Sequence, residues 1–291
     1  MKVLVGIVSK NRCEILSQAI DSALNQVGID VSIAVYDDHS GDETYLLKEK
    51  YPGIEWEFGK EGKGLLYARN KMMKDATADY YCSLDDDSWF MEIDGLHHAI
   101  GYLEEHGEVA AVALDILSHD HPNKVKRTMP FETNTFIGCG HVLRLKYVRE
   151  IGFYEPNPGY YGGEEKDLSI RLMDRGYKIA YLPGVHIWHD KTDVARDMNK
   201  QHRSGVCNDL VFGFRRTPLW LLFFSLPVKI AKHLWFAIRF ERGRFLRACV
   251  LGIEDFLRLI FLSKISRKPV SEVTFRKFIT FNQAKNGTEN Y

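Results

Sequence analysis

Apolar and polar positions along the first hundred residues separate strand-length runs from helix-period segments. Val3 to Val8 is a near-continuous apolar run, and Glu14 to Asn25 repeats its apolar positions at helical spacing. Val31 to Tyr36 and Thr44 to Tyr51 form a second such pair, and a helical pattern around Leu65 to Lys74 leads into a third β-rich run, Tyr80 to Leu84. The succession predicts βαβ units and an α/β fold around a mostly parallel central sheet flanked by helices. Open sheets of that kind bind ligands beyond the carboxyl ends of their strands. Two acidic groups stand at those ends: the pair Asp37-Asp38 and the triplet Asp85, Asp86 and Asp87.

Further on, Val109 to Leu117 reads as another strand and leads into a polar, His-rich stretch, Ser118 to Thr128, expected as a mobile loop over the site. Phe136 to Arg144 precedes a helix from Leu145 to Ile151. A further helix opens at Gly162-Gly163-Glu164-Glu165-Lys166-Asp167-Leu168, with acids in its first turn and apolar Leu168, Ile170 and Leu172 running to a C-capping Gly176. The strand Lys178 to Leu182 is expected to end at Pro183, ahead of Val185-His186-Ile187-Trp188-His189. From about residue 214 the composition turns aromatic and basic, which divides the chain into an α/β domain, 1–213, with halves 1–108 and 109–213, and a helical extension, 214–291.

The longest apolar run of that extension, Leu219 to Leu226, is far short of the ~20 residues that span a bilayer. Lys229, Lys232, Arg239, Arg242, Arg244 and Arg247 interleave with Trp235, Phe236, Phe240 and Phe245, a pattern suited to helices lying in a headgroup region. The alternative is a helical subdomain packed on the rest of the chain or on a second subunit. Charge sharpens the choice. Formal net charge is zero, yet residues 1–213 hold 24 Lys and Arg against 34 Asp and Glu, while 214–268 hold 12 against 3. A basic end of this kind would rest on an anionic membrane surface, each cation contributing roughly 1 kcal/mol.

With 291 residues and 45% hydrophobic positions the chain can bury a substantial core. Its five cysteines are odd in number, widely spaced and never in a CxxC pair, so neither a disulfide framework nor a structural zinc site is suggested. The N-terminus runs directly into the first strand without the basic and apolar regions of a signal peptide. A cytoplasmic location is expected, peripheral on the inner face of the membrane. Nucleic-acid binding is disfavoured, because the basic region is aromatic and apolar and the acidic strand ends would repel phosphodiesters.

The triplet at 85–87 carries the chemistry. Three like charges at the end of an apolar strand must leave the core or meet a cation, which makes them a metal-site candidate; standing alone, they read as well as a solvated acidic turn. The order of the surrounding motifs removes that isolation. Val8-Ser9-Lys10-Asn11, Tyr36-Asp37-Asp38-His39-Ser40-Gly41-Asp42-Glu43-Thr44, Ala68-Arg69-Asn70, Leu84 to Asp87, Gly162 to Leu168 and Pro183 to His189 together resemble the inverting family 2 glycosyltransferases of the GT-A fold, over residues 1 to about 200. The pieces are similar, in turn, to that family's first-strand end, its DDxSxDxT turn, its ARN helix, its DxD motif, its ED helix start and its histidine-bearing strand. Two positions depart from the pattern: Gly62-Lys63-Gly64 replaces an Asn-x-Gly, and Glu165 stands where the catalytic aspartate normally sits.

The resemblance implies transfer of a sugar from a UDP- or dTDP-sugar to a hydroxyl of a saccharide or lipid-linked acceptor, in cell-surface polysaccharide or glycolipid synthesis. Mn2+ or Mg2+ across the two phosphates would be held by Asp87, Asp85 and His189; hard oxygen ligands suit either ion. Val8, Ser9, Asn11, Asp37, Asp38, Arg69, Asp85 and Asp86 are the implied nucleotide-sugar contacts, Asp38 accepting from a pyrimidine N3–H. Arg69 reads otherwise as a plain ion-pair partner, and His186 as structural. Glu165, or its neighbour Glu164, is the implied base, Asp167 bracing the helix. A helix N-terminus decorated with acids, and a non-catalytic nucleotide-sugar-binding protein, are the competing readings. Nucleotidyltransferase chemistry would call for a Gly-rich loop after the first strand, where Gly6 stands alone.

Overall fold

The computed structural model describes residues 1–122, 128–159, 162–191, 197–239 and 243–287. They group into two compact units, Met1–Tyr154 with Arg175–Thr192, and Glu155–Asp174 with Asp193–Asn290. Residues 123–127 of the expected site loop, and Phe240 and Arg242 of the expected basic and aromatic stripe, lie outside the described residues.

In the first unit the apolar run at the N-terminus becomes β1 (Lys2–Ser9), followed by α1 (Cys13–Leu24) and β2 (Asp30–Asp37). A 3-10 turn (Glu43–Leu46) and α2 (Leu47–Lys50) take the place of the single helix expected over 44–51. Then come β3 (Glu55–Phe58), α3 (Leu65–Asp75) and β4 (Tyr80–Asp85). β1 pairs in parallel with both β2 and β4, and β2 with β3, giving the order β3-β2-β1-β4. Val3, Val5, Ile7, Leu84 and Ile20 are fully buried, the near-continuous apolar filling that a sheet covered on both faces demands. The chain crosses from β3 past β1 to β4, so the strand order reverses beside β1, which is the point where such sheets open a crevice.

The expected parallel pairing holds across those four strands and becomes mixed beyond them. After β5 (Ser88–Phe90), α4 (Gly95–Glu105), β6 (Val109–Leu117) and β7 (Phe131–Thr133), β8 (His141–Arg144) lies antiparallel between β4 and β6. α5 (Leu145–Ile151) ends at Gly152, whose φ of 90° closes the helix. β9 (Lys178–His189) runs parallel to β6 and antiparallel to β5 and β7. Pro183 does not end this strand. The register slips between Leu114/Leu182 and Asp115/His186, so Pro183, Gly184 and Val185 bulge out and the ladder resumes.

The second unit is helical: α6 (Glu164–Asp174), α7 (Met198–Arg216), α8 (Leu219–Arg239), α9 (Leu246–Phe261) and α10 (Glu272–Gly287). The compositional break at 213/214 falls in the last turn of α7, which packs with α8 and α9 around Val206, Leu210, Ala237, Cys249 and Phe256. One expectation is corrected here. The apolar run of Leu219 to Leu226 is only part of α8, which continues through Pro227 to 21 residues with a mean hydropathy of 1.4 over its most apolar stretch, long and apolar enough by length and composition to cross a membrane.

Candidate active site

Register sets the site. Ser9 lies level with Asp37 on β2, and Val8 level with Asp85 on β4, so three strand ends finish together. The turn after β4 is closed by Ser88, whose Oγ accepts from the Asp85 N–H at 2.8 Å. β5 then pairs with β9 so that Ser88 stands opposite His189, and Asp190 N donates to Asp87 O at 2.8 Å. Thus His189 reaches the acidic triplet through strand pairing.

The triplet is buried and already compensated. Asp86 and Asp87 are 6% and 2% exposed, and both carboxylates accept from Arg12 Nη1, at 3.0 and 2.6 Å. Asp86 also accepts from the Lys10 N–H at 3.3 Å. The second oxygen of Asp87 lies 3.2 Å from His189 Nε2. Desolvation drives the Asp86 carboxyl up to about 6 against the pull of Arg12, and the charges of Asp87 and Asp85 add to the rise. Asp87 is desolvated too, but the hydrogen bond from His189 and the Arg12 guanidinium outweigh burial and hold it below the usual carboxylate range. Arg12 keeps its proton more tightly than a free guanidinium despite burial, because it faces both acids.

On the other side of His189 stands Cys139, its Sγ 3.2 Å from Nδ1. Asp85, Cys139 and His189 offer three ligand atoms all within 4.8 Å of one another. Next to Cys139, Gly140, at φ 92°, packs against the sheet where no side chain fits: a Cβ there would meet Ile116 Cδ1 at 2.6 Å and Ile187 Cγ1 at 2.8 Å. Burial lifts the Cys139 thiol far above its ordinary pKa, with Asp85 adding to the effect, so in the protein as described it is a neutral SH. The donor set therefore fits a divalent cation through carboxylate oxygen and imidazole nitrogen, with the neutral thiol of Cys139 beside them and not a ligand in that form. Asp87, expected as the direct ligand, stands outside the three-atom group, between His189 and Arg12.

Arg69, expected against the base or diphosphate, is 1% exposed and gives Nη2 to Asp85 Oδ1 at 2.8 Å and to Gly138 O at 3.0 Å. Held inside the protein, it orients the Asp85 carboxylate. Asp37 closes its own turn by accepting from Ser40, and Asp38 accepts from the backbone N–H groups of Lys63 and Gly64 at 2.7 and 3.0 Å. Asn11, at φ 55°, takes a left-handed conformation that asparagine tolerates, donates its N–H to Ser40 Oγ and accepts from Gly41 N, stitching the β1 and β2 loops together. Val8 and Ser9 are buried at the end of β1. His186 is taken up by Glu92 and Asp115.

The remaining acids belong to the second unit. Gly162 and Gly163, at φ 92° and 95°, lead into α6. Glu164 is buried, with Asn157 Nδ2 at 3.5 Å from its carboxylate, whereas Glu165 is half-buried. Asp167 is clamped by Arg171 Nε at 2.8 Å and Arg216 Nε at 2.6 Å and serves the helix. Sequence reasoning missed Arg12 and Cys139. A lone arginine shortly after β1 carries no motif, but a cysteine flanked by Gly138 and Gly140 is a signal of close packing that was there to be read.

Solved structures share this architecture. GalNAc-T7, crystallised with UDP, GalNAc and Mn2+, superposes with a TM-score of 0.64 at 15% identity over 89% of this chain and 57% of its own. TarS 1-349 of S. aureus, in complex with UDP-GlcNAc, gives 0.64 at 14% over 89% and 81%, and a mannosyltransferase from Pyrobaculum calidifontis with GDP-Man and Mn2+ gives 0.61 at 15% over 97% and 79%. At these identities the likeness shows the fold, GT-A. Among curated proteins, polypeptide N-acetylgalactosaminyltransferase 9 of Homo sapiens is 33% identical over 60 residues, and probable N-acetylgalactosaminyltransferase 6 of Caenorhabditis elegans 32% over 62. Each match covers 21% of this chain and only 10% of the relative. The model of the family described as glycosyl transferase family 2 matches residues 4–157, more than half of the sequence, and by that match the chain belongs to glycosyl transferase family 2.

Proposed function

We propose that the protein is an inverting glycosyltransferase that moves a sugar, with divalent-metal help, from a UDP- or dTDP-sugar to a hydroxyl of a saccharide or lipid-linked acceptor, in the synthesis of a cell-surface polysaccharide or glycolipid. The observation that carries this reading is the cluster at the ends of β1, β4 and β9, where Asp85, Cys139 and His189 converge beside the buried Asp86 and Asp87. A divalent ion held by Asp85 and His189, with Asp87 fixing the imidazole from behind, would supply Lewis-acid stabilisation of the departing diphosphate. Arg69, itself buried, fixes the half-buried Asp85 by an ion pair. Arg12 adds a second positive centre next to Asp86 and Asp87. The loop held by Asp38 borders the pyrimidine side, as the resemblance suggests. Glu165 takes the acceptor proton in this reading, because it is the half-buried member of its pair, while Glu164 is enclosed with Asn157.

The test is turnover by purified protein with Mn2+ or Mg2+ and a panel of UDP-, dTDP- and GDP-sugars, with the anomeric configuration of the product read by NMR. Asp87→Asn should weaken metal-dependent nucleotide binding; Glu165→Gln should spare binding and lower transfer roughly 100- to 10,000-fold. Activity that survives Glu165→Gln and is lost in Glu164→Gln moves the base to Glu164. Turnover with GDP-sugars alone removes the pyrimidine assignment, and nucleotide binding without any transfer or hydrolysis favours the non-catalytic alternative.

A further inference from the structure

Helix α8 is built inside out. An ordinary surface helix turns its polar side to water. Here the outward positions are Trp220, Phe223, Phe224, Val228, Trp235 and Phe236, with Phe223 and Phe224 each 72% exposed. Two of its polar residues turn inward: Lys229 and His233 meet Asp209 of α7 at 2.6 and 3.0 Å. Aromatic surface of this extent is costly in water and marks a contact with something apolar.

Charge identifies that partner. α8 contains no Asp or Glu, and its exposed face carries Lys232 and Arg239. A second copy docked face to face would set these cations against each other with no acid on α8 to pair them. Among the described acids nearby, Glu254 is already ion-paired with Arg258 and Asp255 with Arg203, and Glu272, which accepts from the Trp220 indole N–H, is paired with Arg276. An anionic, apolar surface answers both features. We propose that α8 is a docking surface for an anionic lipid bilayer, lying in the headgroup plane with its aromatic face in the acyl boundary and its cations against lipid phosphates. Although α8 has the length to span, the links from Lys229 and His233 to Asp209 fasten its middle to α7, which an in-plane helix keeps and a spanning helix would have to give up. The proposal is independent of the donor and of the reaction.

Full-length protein is sedimented with vesicles of phosphatidylcholine alone and of phosphatidylcholine containing phosphatidylglycerol. Binding is expected only to the anionic vesicles, weakening near 1 M salt, where the screening length falls to ~3 Å. Phe223→Ser/Phe224→Ser and Lys232→Gln/Arg239→Gln should each weaken binding at least about tenfold, with unchanged circular dichroism and metal-dependent nucleotide binding. Alkaline carbonate should strip the protein from the vesicles. Protein that stays in the supernatant with anionic vesicles overturns the proposal, as do variants that bind as tightly as the parent. Resistance to carbonate would mean a spanning helix and overturns the in-plane geometry. A dimer that becomes a monomer on Phe223→Ser/Phe224→Ser, without vesicle binding, would assign the face to a second copy instead.

Discussion

Arg12 does for Asp86 and Asp87 what a bound cation would do. Both carboxylates are nearly inaccessible to water, and neither would stay there charged without a positive partner. Replacing Arg12 by Ala should therefore destabilise the protein by roughly 3 kcal/mol, the order found when one side of a buried ion pair is removed. Urea denaturation at neutral pH measures this, and millimolar Mn2+ should recover more stability in the variant than in the parent. An unshifted midpoint would show that solvent, and not Arg12, balances the acids. The same residue marks the limit of what sequence can convey. The convergence of His189 on the triplet and the bracing of α6 by Asp167 were legible because motif order survives in one dimension. Arg12 and Cys139 were not, because each acquires its role only from neighbours about 75 and 50 residues away, Asp87 and His189. Arg69 sits where the open alternative put it, in an ion pair: its guanidinium turns toward Asp85 and Gly138.

Among elements, length decided legibility. β1, β2, β4 and β6 and helices α1, α3 and α5 are long enough for periodicity to speak, and their observed bounds lie within two residues of the expected ones. β3, β5 and β7, of four, three and three residues, carry no period; they exist because a neighbouring strand offers them a ladder. β9 outlasts Pro183 for a similar reason, its bulge sparing the partner strand the missing donor. The helices permit a sharper test, since two glycines in adjacent elements should answer the same substitution with opposite signs. On α7, nothing lies within 4 Å of a Cβ placed on Gly205, so Gly205→Ala gains helix propensity and should stabilise by about 0.5–1 kcal/mol. On α9, a Cβ on Gly252 would meet the backbone carbonyl of Arg203 at 2.5 Å and Val206 Cβ at 3.0 Å. A carbonyl cannot rotate away as a side chain can, so Gly252→Ala should cost about 2 kcal/mol despite the same propensity gain. Thermal unfolding of both variants measures the pair; equal shifts would mean that α7 and α9 do not approach as closely as described.

For the molecule as a whole, zero net charge conceals local ion networks, and one of them shows what that means for pH. In the second unit Asp209 of α7 gathers Lys166 of α6 at 2.8 Å and Lys229 and His233 of α8, joining three helices through one carboxylate. Burial works against the charge on Asp209, but Lys166, His233 and Lys229 together prevail and hold its pKa well below the ordinary aspartate value. An acid whose folded pKa is depressed binds fewer protons folded than unfolded, so its contribution is complete above the unfolded value, ~3.9, and is lost as pH falls through the folded one. Asp209→Asn keeps the shape and removes the charge, leaving two lysines without their shared partner. Because the carboxylate is still 25% exposed, solvent screens part of the loss, and about 2 kcal/mol at pH 7 is the expected cost, below the figure for a fully enclosed pair. The difference from the parent should hold steady from pH 7 to about 5 and close as the pH drops below ~4, because acid then neutralises in the parent what the substitution has already removed. With Trp56, Trp89 and Trp188 of the first unit replaced by Phe, emission from Trp220 and Trp235, both on α8, reports unfolding of this unit. A gap between parent and variant that persists undiminished at the lowest pH where both remain folded would mean that Asp209 holds the three helices by its hydrogen-bonding shape and not by its charge.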